Sequence, residues 1–115
     1  MADTNWIERD AQMAELAGIL AGARDIGVDT EFMRERTFFP KLCLVQISAA
    51  GRIWLIDTLK VRDFAALLGA LVDPATPKIL HAARQDLEAL YLVTRRVVAP
   101  VFDTQIGAAC IGMKP

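Results

Sequence analysis

The chain has 115 residues, a formal net charge of −1 and a pI near 5.7, with 54% hydrophobic residues and a mean hydropathy of +0.32. That is the size of one small domain, with an apolar fraction high enough for a tightly buried sheet. The charge balance excludes a globally basic nucleic-acid binder and leaves room only for a local basic patch.

No apolar run reaches the roughly 18 residues of a membrane helix, and the start, Met-Ala-Asp-Thr-Asn-Trp, has no basic-plus-apolar signal, so no membrane partner is expected. Cys43 and Cys110 lie far apart in apolar runs, without metal-ligand spacing. They are expected to be core thiols of a chain in a reducing, cytoplasmic compartment.

Residues 10–22 have the helical spacing Met13, Leu16, Ala17, Leu20, with Asp10 as N-cap and Gly22 as the stop. Residues 26–33 alternate as a strand, with Thr30 the one polar residue on the Ile26 face. Residues 34–41 are a connection holding Phe38, Phe39 and Pro40, and 42–48 read as a second strand, apolar enough to be buried on both faces. A turn at 49–51 and a strand at 52–57 complete an antiparallel hairpin. The period then changes to that of a helix over 62–72, ended by Asp73-Pro74. A strand at 78–81, a helix at 83–94, a strand at 101–103 and a last helix with Ile106, Ala109 and Cys110 on one face follow. The expected architecture is α/β: one domain over 1–115 with a mixed five-stranded sheet, an antiparallel meander then parallel strands, and flanking helices.

Asp29 and Glu31 fall on the same face of the first strand, about 6.5–7 Å apart at Cα. Two carboxylates crowded there need compensation by a divalent cation, a basic partner such as Arg34 or Arg36, or a shared proton. Asp86 lies in the first turn of the helix after strand four, where the helix dipole favours a carboxylate. If strand four neighbours strand one, Asp86 comes to the carboxyl edge of the sheet beside Asp29 and Glu31, and three hard oxygen donors suit Mg²⁺ or Mn²⁺. Asp57 and Asp103, each followed by Thr before a helix, are expected as caps. His81, the single histidine, is expected as a partly buried residue ending a strand, with a secondary place near Asp86. Arg34, Arg36, Lys41, Arg84, Arg95 and Arg96 are candidate phosphate contacts, the first two most directly; Phe38 and Phe39 are candidate base-stacking residues.

The run from Asp29 to Gln46, Asp-Thr-Glu-Phe-Met-Arg-Glu-Arg-Thr-Phe-Phe-Pro-Lys-Leu-Cys-Leu-Val-Gln, resembles the first exonuclease motif of the ribonuclease D family. Lys78 to Leu90 resembles the second motif, whose aspartate is Asp86 here, and Val101 to Gln105 is similar to the segment that follows. The resemblance implies a ribonuclease H-like fold and 3′–5′ exonuclease chemistry on RNA, with two divalent ions, Mg²⁺ or Mn²⁺, as cofactors. It implies Asp29 as a ligand shared between the ions, Glu31 as a ligand facing the terminal nucleotide, and Asp86 as a ligand of the second ion. Phe32 and Met33 fall where such proteins pack the 3′-terminal nucleoside, and Thr30, Arg34, Arg36 and His81 are further candidate substrate contacts; precursor transfer RNA 3′ ends are the best-known substrate of the family. The family's third motif, a tyrosine four residues before a final aspartate, has no counterpart among the 115 residues; Tyr91 has no aspartate four residues after it. The domain is therefore expected to be C-terminally incomplete, missing helices, prone to self-association and short of a fourth ligand. The alternative is a non-catalytic remnant that binds nucleic acid or serves as an interaction module.

Overall fold

The computed structural model of the chain describes residues 3–34 and 39–114. Its elements are β1 (Asp3–Ile7), α1 (Asp10–Leu20), β2 (Ile26–Met33), β3 (Lys41–Ala49), β4 (Arg52–Asp57), α2 (Ala65–Leu71), β5 (Lys78–Leu80), α3 (Arg84–Thr94), β6 (Val101–Asp103) and α4 (Thr104–Cys110). The strands form one sheet in the order β1-β4-β3-β2-β5-β6. Strands β2, β3 and β4 are the antiparallel meander, while β1, β5 and β6 join parallel to their neighbours.

The sheet has six described strands, not five, because β1 was not foreseen. Its five residues carry only Trp6 and Ile7 as large apolar side chains, and its partner β4 lies far along the chain. Backbone pairing from Asp3–Arg52 to Ile7–Ile56 and an Asn5 side-chain bond to the Ile53 carbonyl (3.3 Å) hold it in place. Helix α1 ends at Leu20, short of Gly22, and Asp10 is not its N-cap. The Gln12 side-chain oxygen instead accepts from the Glu8 and Arg9 amides. The Asp10 carboxylate accepts from the amides of Arg62 and Asp63 (2.9 and 3.1 Å), tying α1 to the segment before α2. These bonds hold the Asp10 carboxyl below the usual range. Helix α2 is likewise shorter than expected.

Strand β3 is buried on one face, not both. Val45, Ile47 and Ala49 point into the core while Gln46 and Ser48 are exposed. The β2–β3 register shifts between Glu31–Leu44 and Phe32–Leu42, so Cys43 is skipped. This bulge leaves Cys43 half-buried, its thiol facing the Lys41 carbonyl at 3.4 Å. Cys110 is exposed on α4, none of whose residues is buried. Neither cysteine is the core thiol expected. The β3–β4 connection is a two-residue turn, Ala50 and Gly51, both with positive φ (50° and 74°), the handedness that matches a twisted hairpin.

One apolar cluster joins Ile26, Val28, Val45, Ile47, Trp54 and Ile56 of the sheet to Met13, Leu16 and Leu20 of α1, Leu67 and Leu71 of α2, and Leu90 of α3. The opposite sheet face is open. Register places Phe102, Ile79, Gly27, Ser48, Ile53 and Thr4 in one row across it, and Asp29, Gln46, Leu55 and Trp6 in the next. Helix α4 touches this face at Phe102, whose ring fills the space beside Gly107; a β-carbon there would lie 2.8 Å from it.

Lys78 has no exposed surface, and its ammonium donates to the Asp73 and Ala70 carbonyls (2.8 and 3.4 Å) at the end of α2. Desolvation lowers its pKa, with the Asp73 charge opposing. Lys78→Ala removes a buried aliphatic stem and these two bonds, and is expected to cost about 2–4 kcal/mol in urea unfolding. Lys78→Met keeps the stem and is expected to cost less; equal losses for the two variants would refute this account.

Candidate active site

Alternation along β2 buries Ile26, Val28 and Thr30 and exposes Asp29, Glu31 and Met33. Asp29 stands opposite Gln46 and Glu31 opposite Leu44 on β3. On the other side, β5 pairs with β2 only at Ile26 and Gly27. From Val28 onward that edge of β2 has no described strand beside it, and α3 begins there. Thr30 uses its amide to bond the Asp29 carboxylate at 3.0 Å.

Asp86, third residue of α3, is 7% exposed, and the Thr30 hydroxyl donates to its carboxylate. Burial pushes the Asp86 carboxyl above its ordinary value; the Thr30 bond opposes this, and the charges of Asp29 and Asp103 add to it. Asp29 and Asp86 thus sense each other electrostatically, Asp86 from the buried side of β2 and Asp29 from the exposed side. Glu31 shares the face of Asp29, one strand repeat further on. Among the described residues, no three His, Cys, Asp or Glu side chains form a ready ligand group.

A cleft of about 440 Å³ opens beside Asp29, lined also by Gly27, Val28, Gln46, Ser48, Ile79, Leu80, His81 and Thr104. His81 is exposed, not partly buried as expected, because β5 ends one residue before it. Its Nδ1 lies 2.8 Å from the Thr104 hydroxyl. Gln46, Ser48 and Thr104 were missed in the sequence. The signal for the first two was present: they sit two residues apart on β3, polar in an apolar run, and so share a face.

Thr30 stands apart from the expected substrate contacts. It is buried and its hydroxyl is committed to Asp86, so its side chain offers almost no surface to a ligand. Phe32 is half-buried against the core, and Met33 is half exposed at the strand end. Arg34 pairs with Glu88 of α3 at 3.3 Å, not with Asp29 or Glu31. Arg36 and Phe38 lie outside the described residues. Lys41 and Arg84 are exposed, as are Arg95 and Arg96 where α3 ends with Arg95 in the left-handed region. Asp57 caps the turn after β4 through the Leu59 and Lys60 amides. Asp103 accepts from the amides of Gln105, Ala82 and Ala83.

These observations meet their counterparts among known proteins. A family model described as 3′–5′ exonuclease matches residues 4–114. Ribonuclease D of Pseudomonas paraeruginosa is 41% identical over 111 residues, covering 96% of this chain and 30% of its own length. The crystal structure of Escherichia coli RNase D, described as an exoribonuclease involved in structured RNA processing, superposes with a TM-score of 0.91 at 38% identity, covering 96% of this chain and 29% of that one. The catalytic core of RRP6 from Trypanosoma brucei shares the fold, with a TM-score of 0.92 at 24% identity over 99% of this chain and 32% of that one. The chain therefore spans about 30% of the length of the curated relative it matches.

The Asp86 carboxyl is raised, so the folded chain holds that proton more tightly than the unfolded one. The group's contribution to stability is full below its unfolded pKa and is lost as pH rises through the folded one. Asp86→Asn keeps an acceptor for Thr30 without the charge. It is expected to melt a few degrees above wild type at pH 7, with the gap closing toward pH 4. A gap of constant size across that range would contradict the electrostatic cause.

Proposed function

The chain belongs to the 3′–5′ exonuclease family, with ribonucleases D among its relatives, and from that premise we propose that its site hydrolyses phosphodiester bonds from the 3′ end of RNA. The observation that carries the reading is the pairing of an exposed Asp29–Glu31 face on β2 with Asp86 docked at the free strand edge, with Asp29 bordering an open cleft. The donor set fits divalent cations: carboxylate oxygens are hard ligands, and the mutual repulsion of Asp29 and Asp86 is the kind of charge crowding that a cation relieves. Asp29, Glu31 and Asp86 would hold two ions, Mg²⁺ or Mn²⁺. The chemistry supplied when such ions are bound is activation of a water and neutralisation of charge at the scissile phosphate.

In this reading the chain's own residues bind and orient. Asp29 would help to hold the ions. Glu31 faces the 3′-terminal nucleotide, and Phe32 and Met33 pack its sugar and base. Arg34 and Arg36 attract the phosphates behind it, and His81 borders the cleft that receives the end of the strand. Precursor transfer RNA 3′ ends are the proposed substrate class and the cytoplasm the proposed compartment; no helix among the described residues is long and apolar enough to cross a membrane.

Metal binding tests the reading directly. Mn²⁺ added to the ¹⁵N-labelled chain is expected to broaden the amides of Asp29, Thr30, Glu31 and Asp86 first, and Asp29→Ala is expected to abolish this. Broadening spread over unrelated acidic residues would sink the proposal. With 5′-labelled single-stranded RNA, trimming by the 115-residue chain is expected to be slow, to proceed only from the 3′ end, and to stop with Asp29→Ala; internal cleavage would contradict it. Trp6, Phe102, Ile106 and Ile111 are all more than half exposed, so the chain is also proposed to self-associate. Sizing chromatography should show an apparent mass that rises with concentration, and a monomer at every concentration would count against this.

A further inference from the structure

The connection from β5 to α3 is short and lacks means of its own to hold the helix that carries Asp86. Ala82 has a positive φ of 53°, and the N-cap of α3 is Ala83, whose side chain cannot accept a hydrogen bond. The missing acceptor comes from β6. Asp103, opposite Leu80 in register, takes the Ala82 amide at 3.0 Å on Oδ1 and the Ala83 amide at 2.8 Å on Oδ2. Oδ1 also takes the Gln105 amide at 2.9 Å, so one carboxylate starts both α3 and α4. The next residue reinforces the link: the Thr104 hydroxyl donates to the Leu80 carbonyl at 3.2 Å and lies 2.8 Å from His81. With both oxygens engaged by backbone amides, Asp103 is occupied as a cap and is not a stand-in for a fourth metal ligand. Those bonds hold its carboxyl below the usual range.

We propose that Asp103 is the positioning residue of the site: its carboxylate anchors the Ala82–Ala83 turn that leads into α3 and so fixes where Asp86 meets Thr30. The link to metal binding rests on the reading of Asp86 as a ligand; the positioning itself does not. A carboxylate suits the place because it accepts from several amides at once and its charge complements the N-terminal end of the α3 dipole.

The test compares Asp103→Ala with Asp103→Asn, which keeps one acceptor oxygen. Unchanged amide shifts across β1, β3 and β4 establish that each variant is folded; if the alanine variant fails this, the asparagine variant carries the comparison with wild type. In Asp103→Ala the amide signals of Ala82 and Ala83 are expected to lose the shift due to the carboxylate, and those of Asp86 and Thr30 to move with them. Mn²⁺ affinity is expected to fall about tenfold, the order seen when a group behind a metal ligand is removed. Asp103→Asn is expected to regain part of both effects. Shift changes confined to Thr104–Cys110, with Asp86, Thr30 and Mn²⁺ affinity as in wild type, would overturn the proposal. The amide shifts need no metal. If the wild-type chain takes up no Mn²⁺ at Asp29 and Asp86, the nuclease reading fails and the shifts still decide the positioning.

Discussion

The hydrogen bond from Thr30 to Asp86 is the constraint on which the site depends. Asp86 is almost fully buried, and a buried carboxylate without a partner costs several kcal/mol or gives up its charge. Thr30 supplies that partner from the core-facing side of β2. The bond is possible because β5 pairs with β2 at only two residues, so the first turn of α3 can reach the strand edge. Longer pairing would fill that edge with backbone and hold the helix away.

The same arrangement sets one part of the chain against another. The core side of the sheet is conventional, with apolar residues of α1, α2 and α3 joined to the strands in one cluster. The site side brings Asp86 within electrostatic reach of Asp29 and Asp103. Such crowding opposes folding at neutral pH, and the surrounding structure must offset it. Elsewhere, charges are arranged for stability: Asp10 and Asp103 both bond backbone amides and are held below the usual carboxyl range. Crowded carboxylates at a strand edge fit a site that uses its charge on something outside the chain. The close superposition on a ribonuclease D at 38% identity fits that account, because the elements that overlap are the ones that hold these groups.

Much of this was legible in the residues. The alternation of β2 placed Asp29 and Glu31 on one face because side-chain direction in a strand has a period of two, a local property. The spacing of apolar residues located the helices, and Asp-Thr before a helix marked the cap at Asp103 for the same local reason, while Asp57 caps a turn and not a helix. The motif around Asp29 and the one around Asp86 identified the family because their residue types and separation are specific together.

Tertiary structure decided what depends on partners distant in sequence. Strand β1 has too few apolar residues to be seen alone and exists through its pairing with β4. The β2–β3 bulge moved Cys43 out of the core, since register belongs to two strands and not to one. Thr30 gained a partner in Asp86, and Asp103, the cap of α4, also took the amides of the turn that leads into α3. The sequence by itself determined which way Asp29, Glu31 and Asp86 leave their own strand or helix, because those directions are local. Which carboxylate is buried, which is exposed and what holds each one follows from how β2, β5, α3 and β6 meet, and that is set by packing and backbone pairing across the whole chain.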